Sequence, residues 1–235
     1  MKNGKINTIF FDAADTLFFI EQGLGKTYAS VAKKHGGDPD PNDLKKAFSK
    51  AFTTAPPLAF GGVSDEERKV LEKGYWRDIV ENVYEEVGMF EEFDAHFDEL
   101  FEVFRTHAWA IFPETKEVLE ILKEKNYKLG IISNFDSRVY DVMKNLGIQE
   151  YFDTFIISSE AGHAKPDPNI FHLALKETGA DPKGCLHIGD NIQNDFHGPR
   201  ALGIQALLLD RENEYESIGD QHKIKSLTEI DRFLD

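Results

Sequence analysis

From Pro113 onward the chain alternates short apolar runs with amphipathic stretches of roughly helical length, and that alternation leaves few folds open. Glu114 to Lys125 reads as a helix, Lys128 to Ser133 as a strand, and Ser137 to Leu146 as a helix ending at Gly147. Thr154 to Ser158 is a strand, Asp167-Pro168 opens a helix that stops at Gly179, and Cys185 to Ile188 is a strand. Asp195 to Leu202 is a helix ending at Gly203, and Ala206 to Leu209 is the last clear strand. Strands separated by helices of this length pair in parallel through right-handed crossovers, with helices on both faces. Ile6 to Phe11, apolar and β-branched, supplies one more buried strand at the start. The expected fold is α/β, a doubly wound parallel sheet.

Between about Gly23 and Ala108 the pattern is helical throughout. Leu24, Tyr28, Val31 and Ala32 share one face, and Gly36-Gly37 ends that helix. Asn42 is placed to cap a second helix reaching Thr53. Ala55-Pro56-Pro57 and Gly61-Gly62 then form a loop, readable either as site lining or as a plain surface turn. Ser64 with Glu67 is a capping box opening a long helix with Leu71, Tyr75, Ile79, Val83 and Val87 along one side. Phe93, Phe97, Leu100, Phe101 and Phe104 form a further stripe, expected to pack helix on helix rather than face a ligand. The chain thus divides into an α/β core, residues 1–20 and 109–235, and a helical insertion, residues 21–108, placed over the strand ends. The acidic tail from Glu212 to Asp235 reads as a solvated helix or turn.

A net charge of −15 disfavours nucleic acid and anionic membrane surfaces as partners. Cys185 is the single cysteine, which excludes an intramolecular disulfide, and its place at a strand start makes it a buried thiol. No run of eighteen apolar residues spans a membrane. The N-terminal lysines precede an apolar run, but Asp12 and Asp15 interrupt it and no small-residue cleavage site follows, so no signal peptide is expected. Cytoplasm is the default location. Monomer and homodimer both stay open.

Two distant segments carry carboxylates directly after buried strands: Phe10-Phe11-Asp12-Ala13-Ala14-Asp15-Thr16-Leu17, and His187-Ile188-Gly189-Asp190 through Asp195. A parallel α/β sheet binds ligands at the carboxyl ends of its strands, so these acids can meet in one crevice. Gathered carboxylates repel unless a cation sits among them. Two more strand ends carry Ser133-Asn134 and Lys165 in Ala164-Lys165-Pro166-Asp167-Pro168. His163, His187 and His197 lack metal-ligand spacing and read as structural or surface groups.

In order and context these four pieces closely resemble the four motifs of the haloacid dehalogenase (HAD) superfamily, whose members are mostly phosphatases. The helical insertion resembles that superfamily's C1 cap, a subfamily I arrangement on a Rossmann-like core. The segment Gly189-Asp190-Asn191 through Gly198-Pro199-Arg200-Ala201-Leu202-Gly203 resembles one C1-capped branch in particular. The resemblance implies a Mg²⁺-dependent hydrolase that takes a small phosphorylated metabolite through an aspartyl-phosphate intermediate. Asp12 would be the nucleophile. Asp12, the Ala14 backbone carbonyl and Asp190 would hold Mg²⁺, with Asp195 bound directly or through a water. Ser133 and Asn134 would contact the phosphoryl group, and Lys165 would neutralise it and Asp12.

One departure reaches the centre of that mechanism. The phosphatases usually read Asp-x-Asp-Gly-Thr, and their second aspartate carries protons. Here that position is Ala14, and Asp15 stands where glycine is usual. Losing a positioned acid–base typically costs ~10²- to 10⁴-fold in rate. Three readings follow: a phosphatase, slow or restricted to good leaving groups, with Asp15 as substitute if the chain turns sharply; a metal-independent 2-haloacid dehalogenase; or a low-turnover module that binds Mg²⁺ and phosphate. Against the second stand Asp190 and Asp195, the lack of arginine between Met1 and Glu67, and Phe171 where the dehalogenases usually have Tyr.

Overall fold

A computed structural model of the chain describes residues 5–234; Lys2 of the N-terminal segment and Asp235 of the tail lie outside them. The elements run β1 (Thr8–Phe11), β2 (Phe18–Ile20), α1 (Leu24–Lys34), α2 (Pro41–Thr54), α3 (Asp65–Val87), α4 (Phe93–Thr106) and β3 (Trp109–Ile111). After these come α5 (Thr115–Glu124), β4 (Lys128–Ser133), α6 (Arg138–Asn145), β5 (Thr154–Ile157) and α7 (Ser158–Ala161). The chain continues through α8 (Pro168–Thr178), β6 (Cys185–Gly189), α9 (Gly198–Arg200), β7 (Gln205–Leu209) and β8 (Lys223–Ile224). Six strands form one sheet in the order β5-β4-β1-β6-β7-β8, and every pairing in it is parallel.

Alternation along the strands assigns side chains to two layers. Ile9, Phe11, Leu129, Ile131 and Ile188 share a core with Leu119 and Leu122 of α5 and Val139 and Val142 of α6. Phe10, Ile132 and Cys185 face the other way, onto Ile170, Phe171 and Ala174 of α8. That two-sided burial is why the strands read as near-continuous apolar runs. β1 is the switch point, flanked by β4 and β6, so its end opens into a crevice between chain segments running outward on both sides.

Helices α1 to α4 enter and leave through a two-stranded antiparallel ribbon, β2 against β3, with Ile20 opposite Trp109. They build an apolar cluster of their own around Tyr28, Leu44, Val83, Tyr84, Phe97 and Leu100. The α3 capping box is present in both directions between Ser64 and Glu67.

Four local readings change. Asp40, not Asn42, caps α2, accepting from the Asn42 and Asp43 amides, because Pro41 fits the first helical position and places the cap two residues earlier. On α3 the buried side is displaced: Leu71 is 42% exposed while Glu72 is buried, since Glu72 is held by core hydrogen bonds. Asp195 to Leu202 is not one regular helix but a π-helical turn, Ile192–His197, running into the short α9. The tail is more than a solvated turn: Lys223–Ile224 pairs with β7, and Leu227 and Ile230 are buried. Among the described residues no helix is long and apolar enough to cross a membrane.

Candidate active site

Registry brings the motifs together. Phe11 lies opposite both Ile131 and Ile188, so Asp12 emerges between the ends of β4 and β6, and its amide donates to the Ile188 carbonyl at 2.9 Å. Asp12, Asp190 and Asp195 each present one oxygen within 4.8 Å of the others. Lys165 Nζ is buried between two of them, 2.9 Å from Asp12 and 2.5 Å from Asp195. Asp12 Oδ1 has no aligned hydrogen-bond donor despite that short approach. Ser133 is buried at the end of β4 and is among the groups that favour the ionised form of Asp12.

Electrostatics divides the three carboxylates. Burial, reinforced by the charges of Asp12, Asp195 and Asp15, pushes Asp190 up to about 7. Burial also raises Asp12, with Lys165 opposing and Asp195 adding repulsion. Asp195 is buried too, yet Lys165 and His187 override that and hold it down at about 2. Its Oδ1 takes both Lys165 and His187 Nε2, the latter at 3.0 Å, and its Oδ2 accepts the Asn191 amide. Such proximity needs Gly189: a Cβ there would meet Asp195 Cγ at 2.3 Å.

Asn134 is placed otherwise than as a free phosphate contact. Its carboxamide donates to the Lys165 carbonyl at 2.8 Å and accepts the Lys165 amide at 2.7 Å, clamping the lysine backbone from across the crevice. Asp190 Oδ1 accepts the Thr16 hydroxyl at 3.2 Å. Asp15 sits at φ 60°, the left-handed region, which explains why glycine would be favoured and why aspartate is tolerated. The chain does turn sharply after Ala14, and both Ala14 and Asp15 line the same cavity as Asp12 and Asp190.

That cavity measures about 340 Å³, and about half of its wall comes from the helical insertion. Phe97, Leu100, Phe101 and Phe104 line it, so the stripe expected only to pack helices also faces the site. α4 can do both because its apolar arc is wider than one neighbouring helix covers. Thr53 to Gly62 takes no part in the wall. Instead the Phe60 amide donates to the Ser159 carbonyl at 2.9 Å, and Gly61 packs on Gly162.

Several participants escaped the sequence reading. His187 is buried and orients Asp195. Asp136 and Arg138, three and five residues beyond Ser133, pair in the crevice; Asp136 also accepts Trp76 Nε1 of α3. Their only signal was position just after a motif-bearing strand. Glu72 of α3 accepts the Ser137 amide at 3.1 Å and its hydroxyl at 2.5 Å, tying insertion to core.

With that geometry established, similarity to known proteins becomes informative. A family model described as haloacid dehalogenase-like hydrolase matches residues 6–203. Human haloacid dehalogenase-like hydrolase domain-containing protein 3 is 31% identical over 214 residues, covering 87% of this chain and 82% of its own. A glyceraldehyde 3-phosphate phosphatase from Methanothermobacter thermautotrophicus is 35% identical over 102 residues, 43% of this chain and 45% of its own. Two solved structures superpose equally well: a HAD phosphatase from Thermococcus onnurineus (TM-score 0.68, 20% identical, 97% of both chains) and an L-2-haloacid dehalogenase from Xanthobacter autotrophicus (TM-score 0.68, 15% identical, 97% and 98%). At those identities they show the fold and do not choose between the two chemistries. The family match spans every strand end that carries the acids, the serine and the lysine, and this chain belongs to the haloacid dehalogenase-like hydrolases.

Proposed function

We propose that the protein is a Mg²⁺-dependent phosphatase acting on a small phosphomonoester. The observation that carries the reading is the crowding of Asp12, Asp190 and Asp195 around one point, with Asp190 lifted to about 7 by burial and by the charges of its neighbours. A divalent ion fits this donor set: hard carboxylate oxygens, an Asp12 oxygen with no aligned donor, and an Ala14 carbonyl that accepts no hydrogen bond among the described residues. Asp12, Asp190 and the Ala14 carbonyl would hold the ion. Asp195, both of whose oxygens are engaged, would reach it through a water. When bound, Mg²⁺ supplies charge neutralisation to the phosphoryl oxygens and lets the acids ionise together.

The chain's own groups do the rest. An Asp12 oxygen attacks phosphorus, and the bond from phosphorus to the leaving oxygen breaks with its electron pair staying on that oxygen. Lys165, kept charged by Asp12 and Asp195 despite burial, offsets the phosphoryl charge. Ser133 donates to a phosphoryl oxygen, and water then cleaves the acyl phosphate, returning Asp12 and releasing inorganic phosphate. Asp15, turned into the cavity wall by its left-handed backbone, is the carboxyl that stands in for the missing acid at Ala14. The helical insertion acts as a cap, bringing the apolar wall over Asp12 and excluding water.

The phosphatase relative supports this reading over the dehalogenase. So does Arg138, the arginine of the cavity wall, because Asp136 already engages it and leaves it poorly placed to receive a substrate carboxylate. The test is hydrolysis of p-nitrophenyl phosphate with and without Mg²⁺, in the wild type and in Asp12→Asn. Metal-dependent release abolished by the substitution is expected. Chloride release from 2-chloropropionate in EDTA, with no phosphatase activity, would refute it.

A further inference from the structure

The wall of the cavity is unlike what a sugar phosphate needs. Phe48, Phe52 and Trp76 form a stacked ladder along it, with centroids 5.5 Å and 6.0 Å apart and planes within 11°. Phe52 is 45% exposed, a large aromatic held against solvent rather than in the helical core. The polar groups of Trp76, Arg138, Trp109 and Asn134 are committed elsewhere, while the Asn194 carboxamide, next to Asp195 in the chain, has no partner among the described residues. Trp76 Nε1 and the Arg138 guanidinium both bond Asp136, Trp109 Nε1 bonds the Phe104 carbonyl, and Asn134 clamps Lys165. Tyr28 alone keeps an unbonded hydroxyl among the described lining residues of the insertion, and burial holds that phenol protonated.

We propose that the leaving group is a planar aromatic, so that the substrate is an aryl phosphate whose ring stacks on the ladder from Phe48 to Trp76. This rests on the phosphatase reading and deepens it. Each sugar hydroxyl brought against the face made by Phe48, Phe52 and Trp76 would lose water without gaining a partner there. A second phosphate or a carboxylate would meet Arg138 already neutralised by Asp136. An aromatic ring loses nothing by leaving water and gains stacking contact. Its ester oxygen also departs as a phenoxide, whose conjugate acid has a pKa of about 10, so the chemistry leans less on a proton donor. The net reaction is aryl phosphate plus water giving phenol and inorganic phosphate, with no other reactant.

The experiment compares kcat/KM for acetyl phosphate, phenyl phosphate, 2-naphthyl phosphate and glucose 6-phosphate, all with Mg²⁺. Phenol and 2-naphthol are closely matched in acidity, so their difference reads wall contact rather than bond-breaking. The 2-naphthyl ester is expected to exceed the phenyl ester by about tenfold, and glucose 6-phosphate to trail phenyl phosphate by ~100-fold. In Phe52→Ser the naphthyl advantage should shrink to about threefold or less. If that variant fails to fold, the wild-type ratios decide alone. Equal rates for the two aryl esters, or glucose 6-phosphate matching them while acetyl phosphate is hydrolysed, would overturn the aryl assignment and leave the phosphatase standing. No turnover of any of the four would remove both.

Discussion

Asp190 makes the metal-free protein pH-sensitive in an unusual direction. Its carboxyl titrates at about 7 in the folded chain against 3.8 as an unperturbed aspartate. A carboxylate raised on folding binds protons more tightly in the native state, so its contribution to stability grows as pH falls through 7 and is lost as pH rises. Between pH 8 and 5.5 the two titration curves differ by about 2 kcal/mol in favour of the folded state. For a chain of this size that is roughly 4–8 °C in melting temperature. Histidines act the other way. His96, pushed down to about 4 by burial, is neutral when folded and costs about 1.4 kcal/mol over the same range; His187 is lowered too, by burial. The decisive quantity is therefore the difference between wild type and Asp190→Asn, from urea or thermal unfolding in EDTA at both pH values. Wild type should gain about 2 kcal/mol relative to the variant at pH 5.5 compared with pH 8. Saturating Mg²⁺ should erase that gain, because the ion binds the ionised carboxylate and replaces the proton. A relative change under about 0.5 kcal/mol, or one of opposite sign, would refute the claim that burial among the other acids raises Asp190.

Substitutions at three further positions probe the surroundings. Lys165→Met leaves Asp12 and Asp195 buried without their shared cation, and should cost about 3–5 kcal/mol in denaturant unfolding, partly recovered by Mg²⁺. Glu72→Ala strips the Ser137 amide and hydroxyl of their acceptor and should lower stability by about 1–3 kcal/mol, while Glu72→Gln should lose less. Asp15→Asn should slow glycerol phosphate hydrolysis at least ~10²-fold while barely changing acetyl phosphate turnover, since the anhydride's leaving group needs no proton. Equal slowing of both would show that Asp15 does not carry that proton.

Much of the site was legible in the linear chain because strand-end motifs are local. Asp12, Ser133, Lys165 and Asp190 each directly follow a buried run or a loop tied to one, and a parallel sheet gathers such ends whatever their separation. The roles of Asn134 and His187 were not legible. Whether an amide meets phosphate or a backbone 31 residues away depends on crossover geometry, which periodicity does not encode.

The alternation of apolar runs and amphipathic helices was enough to fix a doubly wound sheet, since burial on both faces follows from composition along each strand. The expectation that an acid is missing at Ala14 likewise came from the residues alone. What the helical insertion does with its aromatics was decided only in three dimensions. A helix stripe looks the same in one dimension whether it meets another helix or a cavity, and only the docking of α2, α3 and α4 over Asp12 turned Phe52, Trp76 and Phe104 toward the chemistry.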